Sequence, residues 1–251
     1  MTVEMVGYLE TRGFKSEAAD VYGTFIQSAV HLLALAHSSL IEDSEWSIFI
    51  KLDGALGKLR AKNPHKGFRL PLEEALTQEL VKRMQNIYGA DPSSWQSLFQ
   101  HHPKFACDPA ILTGKRRGKK ARRCDIEISS MRPNGPSLFC EAKVLEAKNH
   151  VNERLLGAEG VECFRDREAY AANGSFGALI GYTVFEERPY WQAVVTDAYA
   201  NYVHKDGAPE MVDLVQAGFG VQVTPIRRSL VSPTPIVMLN LIFCFEKHLG
   251  A

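Results

Sequence analysis

Apolar positions recur at helical spacing through the first third of the chain and then change period. Val21, Phe25, Ala29, Leu32, Leu33 and Leu40 follow a 3.6-residue repeat, which predicts a helix over residues 18–40. A second helix is expected from Glu45 towards Leu59, weakened by Gly54 and Gly57. Pro71 suits the first turn of a third helix, running to about Tyr88 and ended by Gly89. Its stripe is Leu76, Leu80, Met84 and Ile87. The stretch Trp95 to Phe99 and the turn at His101-His102-Pro103 lead into an expected strand over residues 105–112.

From Cys124 to Ser129 the pattern alternates, and Asn134-Gly135-Pro136 signals a turn before Ser137 to Leu145, so a β-hairpin is predicted. A helix follows from Asn152 to about Ala172, closed by Asn173-Gly174. Phe176 to Phe185 is almost unbroken in apolar character, the mark of a strand buried on both faces. Beyond Pro189 the pattern predicts a helix to about His204, a shorter one after Pro209, and strands over residues 219–226 and 236–245. Hairpin, crossover helix and buried strand in that order indicate an α/β (α+β) fold with a mixed central sheet. The helical N-terminal portion, residues 1–69, and the core with its C-terminal extension, residues 70–251, are expected to form one compact unit.

The 251 residues suffice for a core without disulfides, and 45% hydrophobic against 23% charged residues is ordinary globular composition. Ile236 to Phe245 is the longest apolar run; it is too short for a bilayer and is interrupted by Asn240. Residues 1–15 lack the pattern of a secretory signal, so a soluble, cytoplasmic protein with no membrane partner is expected. Five cysteines, with no CxxC pair, read as reduced structural thiols.

Net charge is zero, from 29 basic and 29 acidic residues, but the balance is uneven. Lys115, Arg116, Arg117, Lys119, Lys120, Arg122 and Arg123 fall within nine residues that hold no acid, which leaves 22 basic against 29 acidic residues elsewhere. Such a cluster is an electrostatic footprint for a polyanion, or else a solvated loop. It is not a phosphate loop, since no Ser or Thr follows a lysine at the required spacing.

The alternation of side chains along a strand puts Glu141 and Lys143 on one face, and pairing within the hairpin brings Asp125 beside Glu141. Two carboxylates so placed make a hard oxygen site for Mg2+ or Mn2+. An adjacent lysine can orient or help deprotonate a water and offset phosphate charge. Asp125, then Glu141-Ala142-Lys143, resembles the active-site motif of the PD-(D/E)XK, or restriction-endonuclease-like, nuclease superfamily. The resemblance spans residues 70–185, and Cys124 stands where the motif often has proline. It implies a restriction-endonuclease-like sheet and a metal-dependent nuclease. Members often add an acid from the preceding helix; Glu73, inside the apolar stripe and within Glu73-Glu74-Ala75-Leu76-Thr77, is the choice over Glu74 and Glu79. The implied catalytic set is Glu73, Asp125, Glu141 and Lys143, with the three carboxylates holding Mg2+ or Mn2+.

Glu127 shares the Asp125 face as a further ligand, a supporting group or an exposed glutamate. Arg154, Arg165 and Arg167 on the crossover helix are phosphate contacts or solvated arginines, and Gly157 and Gly160 would let that helix pack closely on the sheet. No zincin pattern, GxSxG elbow or GxGxxG loop is present. By family analogy the substrate is DNA rather than RNA, in bacterial defence, restriction or repair, with a homodimer or a helicase or ATPase as partner. The alternative is a catalytically inactive nucleic-acid-binding subunit of a larger complex.

Overall fold

A computed structural model describes residues 3–58, 69–99, 102–111, 122–132, 135–166, 176–214, 219–228 and 235–245. Its centre is an eight-stranded mixed sheet. In chain order the strands are β1 (Val3–Glu4), β2 (Pro103–Cys107), β5 (Ile126–Ser130), β6 (Ser137–Leu145), β7 (Phe176–Thr183), β8 (Glu210–Leu214), β9 (Phe219–Ile226) and β10 (Ile236–Cys244). They lie side by side in the order β1-β8-β9-β10-β7-β6-β5-β2. A separate two-stranded ribbon pairs β3 (Ala110–Ile111) with β4 (Arg122–Arg123). The three central strands β10, β7 and β6 are parallel; β5 and β2 add antiparallel beyond β6, and β9 adds antiparallel beyond β10.

Helices cover both faces, which explains why β7 is buried along its whole length. On one face lie α1 (Met5–Thr11), α2 (Ser16–Leu40), α3 (Asp43–Phe49), α4 (Glu73–Ala90) and α5 (Pro92–Phe99). Phe25, Leu32, Leu33 and Leu40 of α2 and Leu76, Leu80 and Met84 of α4 meet Cys140, Ala142 and Val144 of β6 and Ala178, Ile180 and Tyr182 of β7 in one core. The N-terminal helices therefore share the core of the rest, at roughly 1.5–3 kcal/mol for each large apolar side chain buried. The other face carries a π-helical turn (Val151–Leu155), α6 (Val161–Asp166) and α7 (Arg188–Ala200). Leu155, Phe164, Trp191 and Tyr199 pack there on Phe139, Leu145, Leu179 and Met238. Phe164 lies over Gly177, where a Cβ would come within 2.6 Å of its ring.

Five elements differ from expectation. The second helix stops at Phe49, before Gly54, whose φ of 79° is left-handed. Pro71 precedes the Leu72 N-cap instead of lying in the first turn, since Leu56 bridges to it, and α4 continues through Gly89 to Ala90. The expected strand over 105–112 begins at Pro103 and breaks at Asp108, with φ 49°. The crossover is not one helix: the π-helical turn and α6 are separated at residues 156–160, and residues 167–175 lie outside the described part. There Gly157 and Gly160 serve the break rather than the sheet, because a Cβ would come 2.2 Å from the Glu153 carbonyl oxygen and 1.9 Å from that of Leu155. The segment after Pro209 is strand β8, paired with β9. No single helix among the described residues is long and apolar enough to cross a membrane.

Candidate active site

The site arises where β5 stops and β6 continues. Register pairs Ile126 with Cys140, and the Asp125 N–H still donates to the Cys140 carbonyl at 3.0 Å. From Glu141 to Leu145, β6 has β7 on one side only. Its outward N–H and C=O groups would be costly to leave unpaired at the edge of a core. Side chains take over from the missing strand. The Ala142 N–H donates to Asp125 Oδ2 at 2.6 Å, and the Val144 N–H donates to Glu73 Oε2 at 3.0 Å. Arg154 Nη1 donates to the Val144 carbonyl at 2.7 Å.

These edge contacts bring two acids to the side chains of Glu141 and Lys143. The Lys143 ammonium lies 3.3 Å from Glu73 Oε1, 3.6 Å from Asp125 Oδ2 and 3.7 Å from Glu141 Oε2. Three acids named from the sequence, drawn from three stretches of the chain, thus meet around the Lys143 nitrogen. Lys143 and Glu141 are 6% and 8% exposed in their side chains, while Glu73 and Asp125 keep 29% and 34%. The centre is enclosed on the strand side and open to solvent on the side of the two edge acids.

Glu73 reaches this point from the start of α4. Its carbonyl accepts from the Thr77 hydroxyl at 2.8 Å, and that hydroxyl also meets the buried Tyr182 hydroxyl at 3.0 Å, tying the first turn of α4 to the central strand. The other acids of α4 are engaged elsewhere: Glu74 accepts from Gln78, and Glu79 pairs with Lys82 and Arg83. Glu127 lies on β5 opposite Ala106 and Phe139, away from the contacts made by Lys143.

Burial disfavours an ammonium, but Glu73, Asp125 and Glu141 together outweigh it and raise the Lys143 pKa above the ordinary lysine value. Lys143 is therefore a cation and a hydrogen-bond donor at neutral pH in this arrangement. Its charge suits it to offset phosphate or hold a hydroxide, and not to take a proton while the three carboxylates face it.

Comparison with protein-family models, curated proteins and solved structures gives no match to this chain. Among the described residues no group of three His, Cys, Asp or Glu side chains is closed on a common point at metal-ligand spacing. The carboxylates turn instead onto the Lys143 ammonium, which lies between them. Their chemistry suits a second kind of cation: all three are hard oxygen donors, and two are partly exposed, as a hydrated Mg2+ that retains several waters requires.

Arg154, expected from the sequence to be a phosphate contact or a solvated arginine, binds one of the site's acids. Its Nη2 lies 3.1 Å from Glu73 Oε2. No periodicity singles it out, because the π-helical turn that carries it breaks the helical repeat. Of the basic cluster, Lys115, Arg116, Arg117, Lys119 and Lys120 lie outside the described residues. Arg122 and Arg123 form β4, with their side chains outside the described part. Trp95, Trp191 and Tyr199 are buried packing residues. The five cysteines are free thiols.

Proposed function

We propose that this protein is a metal-dependent nuclease of the restriction-endonuclease-like, PD-(D/E)XK type, acting on DNA. The observation that carries the reading is the meeting of Glu73, Asp125 and Glu141 on the Lys143 ammonium at the open edge of β6. Glu73 and Asp125 also finish the free edge of β6, but that task requires neither the buried Glu141 carboxylate nor the Lys143 ammonium, and a buried ion cluster is weak evidence for stability.

Asp125, Glu141 and Glu73 would hold Mg2+ or Mn2+, which when bound polarises a phosphoryl oxygen, lowers the pKa of a bound water and neutralises charge developing in phosphodiester hydrolysis. The chain supplies the rest. Asp125 is oriented by the Ala142 N–H, and Glu73 by the Val144 N–H, so the backbone of β6 fixes the direction of each acid. Lys143 lies within reach of all three and offers N–H donors to a phosphate oxygen or to the attacking oxygen. The basic residues 115–123 precede Asp125 directly and would engage the phosphate backbone through charge, without reading bases. Lys143 and Arg154 offset only two of the three carboxylate charges, and the remaining negative charge would repel a phosphate, which gives the metal its electrostatic purpose here.

The test uses supercoiled plasmid and a single-stranded oligonucleotide, each with Mg2+, Mn2+ or EDTA. Cleavage with either metal and none in EDTA is expected. Binding without cleavage under every divalent metal overturns the enzyme reading and favours the nucleic-acid-binding subunit.

A further inference from the structure

Arg154 sits on the π-helical turn that leaves β6, and it closes a ring of contacts with two partners. Its Nη1 donates to the Val144 carbonyl at 2.7 Å and its Nη2 to Glu73 Oε2 at 3.1 Å, while the Val144 N–H donates to the same Oε2 at 3.0 Å. The Val144 N–H and the guanidinium thus both donate to a single carboxylate oxygen, and the Val144 carbonyl holds the guanidinium in place. Rotating Glu73 would break two hydrogen bonds at once, one of them charge-assisted. Oε2 is consumed by this ring, and Oε1 is the oxygen turned to the Lys143 centre.

Arg154 is presented by a π-helical turn, Val151–Leu155. π-helical turns are rare and gather at functional sites. This one is followed by Gly157 and Gly160, at which a Cβ would collide with the carbonyls of Glu153 and Leu155.

We infer that Arg154 is the positioning residue of Glu73: by holding Oε2 on the β6 edge it presents Oε1 alone to the metal and so sets the affinity of the site for a divalent cation. This rests on the metal-site reading above. A lysine at 154 keeps the charge but not the planar two-pronged fit. Substituting it therefore separates positioning from bulk electrostatics, which would act in the opposite direction if the charge were removed.

The test is calorimetric titration of Mn2+ into the full chain, without substrate, for wild type, R154K, E73Q and E73Q/R154K, with thermal unfolding recorded for each. R154K is expected to weaken Mn2+ binding about tenfold, the scale of one lost charge-assisted hydrogen bond, and to melt close to wild type because Arg154 is 36% exposed. In the E73Q background the same substitution is expected to change binding less than about twofold, because the residue it positions is already disabled. Unchanged binding in R154K, or an equal loss with and without Glu73, overturns the inference while leaving the metal site standing. Failure of wild type to bind Mn2+ overturns both.

Discussion

Replacing Lys143 with methionine probes the centre through stability, before any reaction is considered. Methionine fills most of the space of the aliphatic stem but leaves Glu73, Asp125 and Glu141 without the ammonium they share at 3.3–3.7 Å. Breaking a fully buried ion pair from one side costs about 3–5 kcal/mol. Glu73 and Asp125 are about one-third exposed and can be rehydrated, so roughly 2–3 kcal/mol is expected, most of it from Glu141. For a chain of this size that is a fall in melting temperature of roughly 5–10 °C in EDTA. Millimolar Mn2+ is expected to raise the melting temperature of K143M more than that of wild type, since a divalent ion replaces the missing cation without displacing an ammonium. Differential scanning calorimetry of both proteins with EDTA and with Mn2+ measures this. An unchanged melting temperature for K143M in EDTA would refute the view that the acids are anchored on Lys143. Equal metal-induced shifts would refute the competition between ammonium and metal.

Three further outcomes follow from the same geometry. Because the Lys143 pKa is raised in the folded state, the stability it contributes is fully present below the unfolded lysine value of about 10.4 and is lost only as pH rises through the higher folded value. The difference in unfolding free energy between wild type and K143M in EDTA, attributable to this lysine, should therefore persist undiminished up to about pH 9 and shrink above about pH 10.5, as read by urea titration. Gly160→Ala places a Cβ 1.9 Å from the Leu155 carbonyl oxygen and should destabilise by about 2 kcal/mol or more while displacing Arg154, seen as both a lower melting temperature and weaker Mn2+ binding. Tyr182→Phe removes the hydroxyl that meets Thr77, at about 1 kcal/mol, and leaves Thr77 its bond to the Glu73 carbonyl; urea unfolding checks it.

What could be read from the sequence divides along a physical line. The β5–β6 hairpin and buried β7 were legible because alternation and unbroken apolar runs report how many faces of a strand are covered. α2 was legible because its stripe repeats over six turns. The crossover was misread as one helix because Gly157 and Gly160 look tolerable in a helical pattern, and only the tertiary position of Leu155 and Phe164 shows why the chain must break between them. The segment after Pro209 was misread because Val212 and Leu214 pair with a neighbour, β9, that short-range periodicity cannot see. Within the site, strand pairing was enough to suggest Asp125 beside Glu141. The use of Asp125, Glu73 and Arg154 to finish the free edge of β6 depends on where β5 begins, a feature of register that composition and spacing do not encode.

The most direct measurement on the central claim is DNA cleavage by matched variants. Plasmid is incubated with Mg2+ and wild type, Asp125→Ala, Glu141→Ala or Lys143→Ala, at equal concentrations of protein shown by circular dichroism to be folded. Cleavage by wild type and a loss of at least about a thousandfold in each variant is the expected result, since each removes a group that acts on the charge of the transition state. Cleavage that persists at near wild-type rate in Asp125→Ala or Lys143→Ala contradicts it, and places any nuclease activity elsewhere on the chain.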